Sequence, residues 1–204
     1  MAAEARIARR LGPHVAISGG SADGARTSAL RLAREGAIAL ASFGFAGGLD
    51  PALRPGDLIV PEAVVVKGEA VRTDPGLSRA LGGPTPHRVL GAEAVISTSG
   101  AKRQAWAETG CAAVDLESGA VALVAAAAGL RFAVLRAVCD PAADNLPPAA
   151  LVALSPDGTV RLAWVLGVLA SAPRQVLAML ALARHAAAAR RALARRVAAI
   201  RGGS

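Results

Sequence analysis

The chain has 204 residues, of which 53% are hydrophobic and 19% charged, and its formal net charge is +8. A chain of this length and composition can bury a substantial core in one domain of ordinary size, which excludes wholesale disorder. Its most apolar late stretch, residues 162–172, is too short to cross a bilayer, and the N-terminus lacks the apolar region of a secretory signal. We therefore expect a cytoplasmic protein, or one peripheral on the inner face of the membrane.

The positive charge is concentrated at one end of the chain. Residues 158–204 contain eight arginines and no acid, whereas the basic and acidic side chains of residues 1–157 cancel. This asymmetry predicts a core over residues 1–157 and a basic extension over residues 158–204. The two cysteines, Cys111 and Cys139, match no metal or redox spacing, so we predict no metal site and a reducing compartment.

Hydrophobic patterns predict alternating helices and strands in the core. In chain order, we predict a helix over 3–11, a strand over 14–20, a helix over 23–36, a strand over 37–43, a loop over 45–51, a strand pair or one bent strand over 57–68, a surface excursion over 72–90, a strand over 91–98, a helix over 101–110, a strand over 111–115, a helix over 117–129, a strand over 131–140, a loop over 140–148 and a turn over 155–158. This alternation indicates an α/β fold with helices on both faces of a sheet.

The rest of the extension is predicted to be helical, with two distinct faces. Between residues 174 and 201, apolar side chains recur at helical spacing on one face and three arginines lie on the other. The apolar residues are Met179, Leu182, Leu193, Val197 and Ile200, and the arginines are Arg184, Arg191 and Arg195. Such a helix can cover the core, form a contact in a homo-oligomer, or lie on an anionic membrane surface. No motif supports nucleic-acid binding.

Three predicted strands end in small or acidic residues, at 42–48, 111–117 and 136–140. Ligands of α/β proteins bind beyond the carboxyl ends of strands, so we expect Glu117 and Asp140 to converge on one site. Each acid also has a plainer interpretation. Glu117 lies at the start of a helix, where the helix dipole favours a carboxylate, and Asp140 precedes a proline in a turn. Asp115 we interpret mainly as a strand-end or first-turn acid.

Two motifs resemble the nucleoside phosphorylases and the methylthioadenosine/adenosylhomocysteine nucleosidases. They are SFGFAGGLDPALRPGDLIVP at 42–61 and AVDLESGAVALVAAAAGLRFAVLRAVCDPAAD at 113–144, and with SGGSADGA at 18–25 the resemblance covers roughly residues 4–145. The residues of these motifs are most similar to those of the hopanoid-biosynthesis-associated phosphorylase branch. The resemblance implies a three-layer phosphorylase/hydrolase-like fold, in which helices flank a mixed, mainly parallel sheet, with the helical extension added. The family also carries a strand before the position of Glu4, which this sequence does not include.

The resemblance implies cleavage of a purine N-glycosidic bond, with adenosylhopane as the substrate of the branch. Glu117 would hold the ribose hydroxyls, with Leu116 packing against ribose and base. Asp140 would bind the base and act as general acid at its N7. Val95 and Ile96 match the segment that lines the base pocket. Such chemistry suits these residues, because the reaction creates a cationic sugar and a poor anionic leaving group.

The nucleophile is less well defined by the resemblance. Glu4 resembles the acid that activates water in the nucleosidases. Ser42 and Phe45 stand where the wider phosphorylase group holds phosphate with Arg and Ser, so phosphate, the one possible co-substrate, would depend on other groups. The candidates are Gly19, Gly20, Ser21, Arg26 and Gly44. Phosphate and water both remain open, as do a methylthioadenosine/adenosylhomocysteine-type nucleosidase and a non-catalytic peripheral membrane or partner-binding protein.

Overall fold

The computed structural model describes residues 2–12, 14–148, 150 and 174–202. Over these residues the chain forms a mixed sheet with helices on both faces, which confirms the predicted α/β class. In chain order the elements are α1 (Ala2–Ala8), α2 (Ala22–Arg34), β1 (Ala39–Gly48), β2 (Leu58–Ile59), β3 (Ala63–Val66), β4 (Glu69–Arg72), α3 (Pro75–Ala80), β5 (Arg88–Gly91), α4 (Ser99–Thr109), β6 (Ala113–Asp115), α5 (Ser118–Ala127), β7 (Arg131–Asp140) and α6 (Arg174–Gly202).

The seven strands lie in the order β2-β7-β1-β6-β5-β3-β4. β1 pairs in parallel with β7 but antiparallel with β6, and parallel pairs also join β3 to β5 and β5 to β6. The remaining pairs, β2 with β7 and β3 with β4, are antiparallel. The described sheet is therefore mixed, and most of its paired residues lie in parallel ladders, as the resemblance implied.

Alternate residues of β7 build the two layers of the core. Phe132 and Val134 pack with residues of α5 and α2, while Leu135 and Ala137 pack with residues of α6 on the opposite face. This follows from the two-residue period of a strand. β7 is buried along most of its length and pairs on both sides, so it forms the centre of the fold and carries the site described below.

α6 is amphipathic, as its sequence predicts. Leu193 and Val197 are fully buried, and Met179, Leu182 and Ile200 are partly buried. The three arginines predicted for the other face, Arg184, Arg191 and Arg195, are exposed. The apolar face therefore covers the sheet, where Ala189 and Leu193 join the cluster around Leu135. No helix in the described ranges is long and apolar enough to span a membrane.

Four local predictions are wrong. Residues 14–20 form no strand: none of the described side chains is fully buried, and Gly19 and Gly20 turn the chain with φ of 75° and 78°. The segment predicted as a loop after residue 43 continues β1 to Gly48, because it pairs with β7. The strand predicted over 91–98 lies earlier, as β5, and the predicted surface excursion contains α3, whose Ser78 is buried. The turn predicted over 155–158 lies outside the described residues.

Candidate functional site

A fully buried arginine, Arg136 of β7, organises the first cluster of polar side chains. Its Nε lies 2.9 Å from Oδ2 of Asp115 and its Nη1 lies 3.1 Å from Oε2 of Glu117. Nη2 donates to the hydroxyl of Ser42 at 2.6 Å. One cation thus pairs with two carboxylates at the end of β6, and without it their burial would be costly.

Asp115 holds the start of α5 as well as Arg136. Its Oδ1 accepts from the backbone N–H groups of Glu117 and Ser118, at 2.7 and 2.6 Å, and its Oδ2 accepts from the Ser118 hydroxyl at 2.6 Å. The interpretation of Asp115 as a strand-end and first-turn acid therefore matches its contacts, but its ion pair with Arg136 was not anticipated.

Glu117 has both carboxylate oxygens occupied in this structure. Oε1 accepts from the hydroxyl of Ser18 and from the backbone N–H of Gly20 (3.2 Å), while Oε2 pairs with Arg136. Burial alone would raise the pKa of Glu117, but Arg136 and the hydrogen bonds from Ser18 and Gly20 together hold it below its usual value. Glu117 is therefore an ionised acceptor whose present donors are an alcohol, an amide and a guanidinium.

Asp140, at the end of β7, belongs to a second cluster. Its Oδ2 lies 2.7 Å from Nζ of Lys102, a fully buried residue of α4, and the side chain of Asp140 is 8% exposed. Oδ1 has no hydrogen-bond partner among the described residues. Since no buried side-chain oxygen in the described chain lacks a partner, Oδ1 must be reached by solvent. Burial raises the pKa of Asp140, and the neighbouring Lys102 opposes that rise.

The direction of β6 and a bulge in β7 explain why the two acids lie in separate clusters. β6 runs antiparallel to β1, so the residues after it return toward Gly44, which pairs with Arg136, while Asp140 pairs with Gly47. Three residues of strand separate these levels by about 10 Å. The register shift between Ala46 and Gly47 turns Asp140 toward Gly47, whose added Cβ would lie 3.5 Å from Oδ2. That Glu117 and Asp140 hold one ligand stays a prediction.

A cavity of about 310 Å³ lies beside Asp140. The loop after β7 forms one wall, and α6 supplies an apolar wall through Ala178, Ala181 and Leu182. The loop is tied to the segment before α4, because Leu146 N–H donates to the carbonyl of Ser97 at 2.7 Å. The segment that contains Val95 and Ile96 therefore adjoins the loop. Val95 is 39% exposed, and Ile96 packs against a buried cluster that includes Val114.

The other predicted residues lie mainly around the first cluster. The side chain of Glu4 lies beside Gly44 of β1. A Cβ added to Gly44 would lie 3.0 Å from Oε1 of Glu4 and 2.6 Å from Nη1 of Arg136. Leu116 is half-buried between the two acids of its motif.

Of the residues predicted to hold phosphate, two are already engaged. The N–H of Gly20 donates to Glu117, and the Ser21 hydroxyl caps α2 by accepting from Gly24 N–H at 3.1 Å. Gly19 lies in the same turn, and Arg26 is exposed on α2.

Sequence reasoning missed three residues of these clusters: Arg136, Lys102 and Ser18. Arg136 lies in the motif at 113–144, four residues before Asp140, and a charged residue inside an otherwise apolar strand was the signal that could have identified it. Lys102 gave no comparable signal, because its helix also carries exposed charges. Ser18 was predicted to lie in a strand over 14–20.

Neither thiol is poised to react. Burial, followed by the charge of Asp140, raises the pKa of Cys139 to about 12, and burial raises that of Cys111. Both are free thiols. Within the described residues, no group of histidines, cysteines or acids could hold a metal ion.

Comparisons with known proteins agree with this fold. Residues 69–157 match the model of the Phosphorylase superfamily. No curated protein sequence matches the chain. Among solved structures, the S-adenosylhomocysteine nucleosidase from Streptococcus pyogenes, in complex with 5-methylthiotubericidin, is 21% identical with a TM-score of 0.57, over 62% of this chain and 65% of that one.

Two further structures show the same fold. The 5′-methylthioadenosine/S-adenosylhomocysteine nucleosidase from Colwellia psychrerythraea, in complex with adenine, is 21% identical with a TM-score of 0.57, over 62% of this chain and 64% of that one. A futalosine hydrolase mutant of Helicobacter pylori is 16% identical with a TM-score of 0.56, over 61% and 67%. The chain thus spans about two thirds or slightly less of these proteins. The family model matches less than half of the chain, and the solved structures show that the chain shares their fold.

Proposed function

We propose that the protein cleaves the N-glycosidic bond of a purine nucleoside, with Asp140 as the general acid. The observation that carries this proposal is the environment of Asp140: a buried carboxyl at a strand end that lines a cavity, with one oxygen held by Lys102 and the other without a partner among the described residues. An acid in that setting can donate a proton from Oδ1 to a bound base.

Proton donation answers the main difficulty of the reaction. A purine leaves poorly as an anion, and a positioned acid that protonates N7 as the bond breaks removes that charge. Burial raises the pKa of Asp140, against the opposing effect of Lys102, so its proton is retained to a higher pH than that of an exposed aspartate. We therefore expect turnover to fall as pH rises through the pKa of Asp140.

Glu117 is the proposed anchor for the ribose. Its low pKa keeps it ionised, and its Oε1 already accepts from an alcohol, the hydroxyl of Ser18. A ribose hydroxyl is a donor of the same kind and would replace Ser18. An ionised carboxylate near the sugar also favours the positive charge that develops as the bond breaks.

The substrate we propose is a 5′-substituted adenosine, and within that class adenosylhopane, which would yield adenine and ribosylhopane or phosphoribosylhopane. The choice of adenosylhopane is supported by the motif resemblance to the hopanoid-associated branch. The wider class is supported by the similar structures, which include a methylthioadenosine/S-adenosylhomocysteine nucleosidase in complex with adenine. A nucleosidase acting on these soluble substrates is the second candidate, favoured by the same structures.

The experiment measures adenine release from adenosylhopane, methylthioadenosine and adenosylhomocysteine, each with and without phosphate. Release of adenine only when phosphate is present identifies a phosphorylase. Release of adenine without phosphate identifies a nucleosidase. Competition between the lipid and soluble substrates decides between the two substrate candidates. No release of adenine under any condition would contradict the proposal.

Two variants test the assigned roles. Asp140→Asn is expected to lower kcat by roughly 10²–10⁴-fold, because it removes the proton donor. Glu117→Gln is expected to raise KM and lower kcat, because it removes the charge that holds and stabilises the sugar. Glu108→Gln, which changes an exposed acid of α4, is the matched control and should leave both values unchanged. An unaltered rate in Asp140→Asn would remove Asp140 from the mechanism.

A further inference from the structure

Lys102 is the second of two lysines in the chain, and its environment is unlike that of the first. Lys67 forms an exposed ion pair with Glu93, and its side chain is 76% exposed. Lys102 is fully buried in α4 beside Asp140. A buried ammonium is expensive unless it is paired and all its donors are used, so the contacts of Lys102 show what its charge serves.

All three donors of Lys102 have acceptors around the end of β7. Nζ lies 2.7 Å from Oδ2 of Asp140 and donates to the carbonyls of Pro141 (3.0 Å) and Asp144 (2.8 Å). The same ammonium therefore fixes the Asp140 carboxyl group and the loop that forms one wall of the cavity.

An ammonium group has three N–H donors and no acceptor. The oxygen that faces it must therefore accept, whether Asp140 is ionised or neutral. In the neutral acid the proton is then excluded from Oδ2 and has to reside on Oδ1. Oδ1 is the oxygen without a partner among the described residues, and it is reached by solvent.

We propose that Lys102 is a positioning residue for Asp140, which keeps Oδ2 as an acceptor and so places the proton of the acid on Oδ1. This inference rests on the proposed role of Asp140 as the general acid. Lys102 itself does not touch the substrate and gives up no proton: the proton leaves Oδ1, the base gains it, and the resulting carboxylate is stabilised by the ammonium.

The first test needs no substrate, so it is independent of the proposed function. The ¹³C signal of the Asp140 carboxyl is titrated by NMR in the wild-type protein, in Lys102→Met and in the control Lys67→Met. Loss of an opposite charge at this distance is expected to raise the pKa of Asp140 by about 1–3 units. The other groups that face Asp140, namely Asp144 of the loop and His185 of α6, are unchanged in both variants. A pKa that is the same in Lys102→Met and Lys67→Met would overturn the proposal.

The second test uses turnover. Lys102→Met is expected to lower kcat by roughly tenfold or more, which is part of the rate enhancement that a positioned general acid contributes. The alkaline limb of the pH profile of kcat should move to higher pH. A merely damaged fold would lower kcat without moving that limb. In an Asp140→Asn background the same change should cost nothing further, since the proton that it places is already absent. An equal loss in both backgrounds, or a profile that superimposes on that of Lys67→Met, would overturn the proposal.

Lys102→Gln provides a variant that retains a donor for Oδ2 without the charge. It should recover part of the kcat lost in Lys102→Met, and it replaces that variant in both tests if methionine prevents folding, which far-UV circular dichroism detects. If wild-type protein releases no adenine, the proposed function fails and the carboxyl titration alone decides whether Lys102 controls Asp140.

Discussion

Replacing Arg136 by methionine should destabilise the fold far more than any exposed substitution. Arg136 is fully buried and pairs with Asp115, 4% exposed, and Glu117, 18% exposed. Breaking a buried ion pair from one side costs about 3–5 kcal/mol, because a charge is left without its partner. Two carboxylates are stranded here, but Asp115 keeps two backbone N–H donors and Glu117 keeps Ser18 and Gly20. We therefore expect a total of about 3–5 kcal/mol.

Such a loss is large against the roughly 5–15 kcal/mol that stabilises a typical native protein. For a chain of this size each kcal/mol lowers Tm by about 2–4 °C, so Arg136→Met should melt roughly 6–20 °C below the wild-type protein. Thermal unfolding followed by circular dichroism measures the difference. Arg131→Met, at the exposed start of the same strand, is the matched control and should change the free energy of unfolding by less than about 0.5 kcal/mol.

The stability of the wild-type protein and that of Arg136→Met should change with pH in opposite directions. In the wild-type protein the pKa of Glu117 lies below its usual value, so its contribution to stability is present above about pH 4.3 and is lost as pH falls through the folded pKa. Without Arg136, burial should raise that pKa, and stability should then decrease as pH rises through it. Adding Glu117→Gln should recover part of the loss. Equal melting of Arg136→Met and Arg131→Met would refute this account of the cluster.

Three further outcomes follow from other contacts. Ser18→Ala should lower KM by up to about tenfold, because the ribose no longer displaces a hydrogen bond to a charged group; an increased KM would show that Ser18 assists binding. Gly91→Ala should reduce Tm, since its Cβ would lie 2.6 Å from the Gly119 Cα, whereas Gly100→Ala has open space and should not; equal Tm values would refute the close approach of β5 and α5. Cys139 should resist alkylation in the folded protein at neutral pH, as mass spectrometry would show, because its pKa is about 12.

Elements with strong local signals were predictable from the sequence. α2 begins after a serine that caps it and ends near a glycine with φ of 90°, and the sequence predicted the glycine stop. β7 was predicted at its observed bounds because it is a ten-residue apolar run that ends in an acid. The motifs also singled out Glu117 and Asp140, the two acids around which the clusters form.

Features that depend on distant partners were not predictable in this way. The direction of β6 is set by its pairing with β1, more than 60 residues earlier in the chain, and no local pattern encodes it. The bulge that turns Asp140 toward Gly47 depends on the register between β1 and β7. Lys102 and Asp140 come from different elements, and their pairing appears once α4 packs against the end of β7. These three features decide where the acids lie.

α6 is one continuous helix that both lines the cavity and packs into the core. Its 29 residues extend about 44 Å, and it lines the cavity at Ala178, Ala181 and Leu182 while Leu193 and Val197 are buried near its other end. The cavity wall thus lies in the first described turns of the helix, which are less buried than the segment around Leu193. A ligand that fills the cavity should slow hydrogen exchange over these first turns and leave the already protected segment around Leu193 unchanged. Hydrogen exchange would then report ligand binding in the cavity as increased protection of the first described turns of α6.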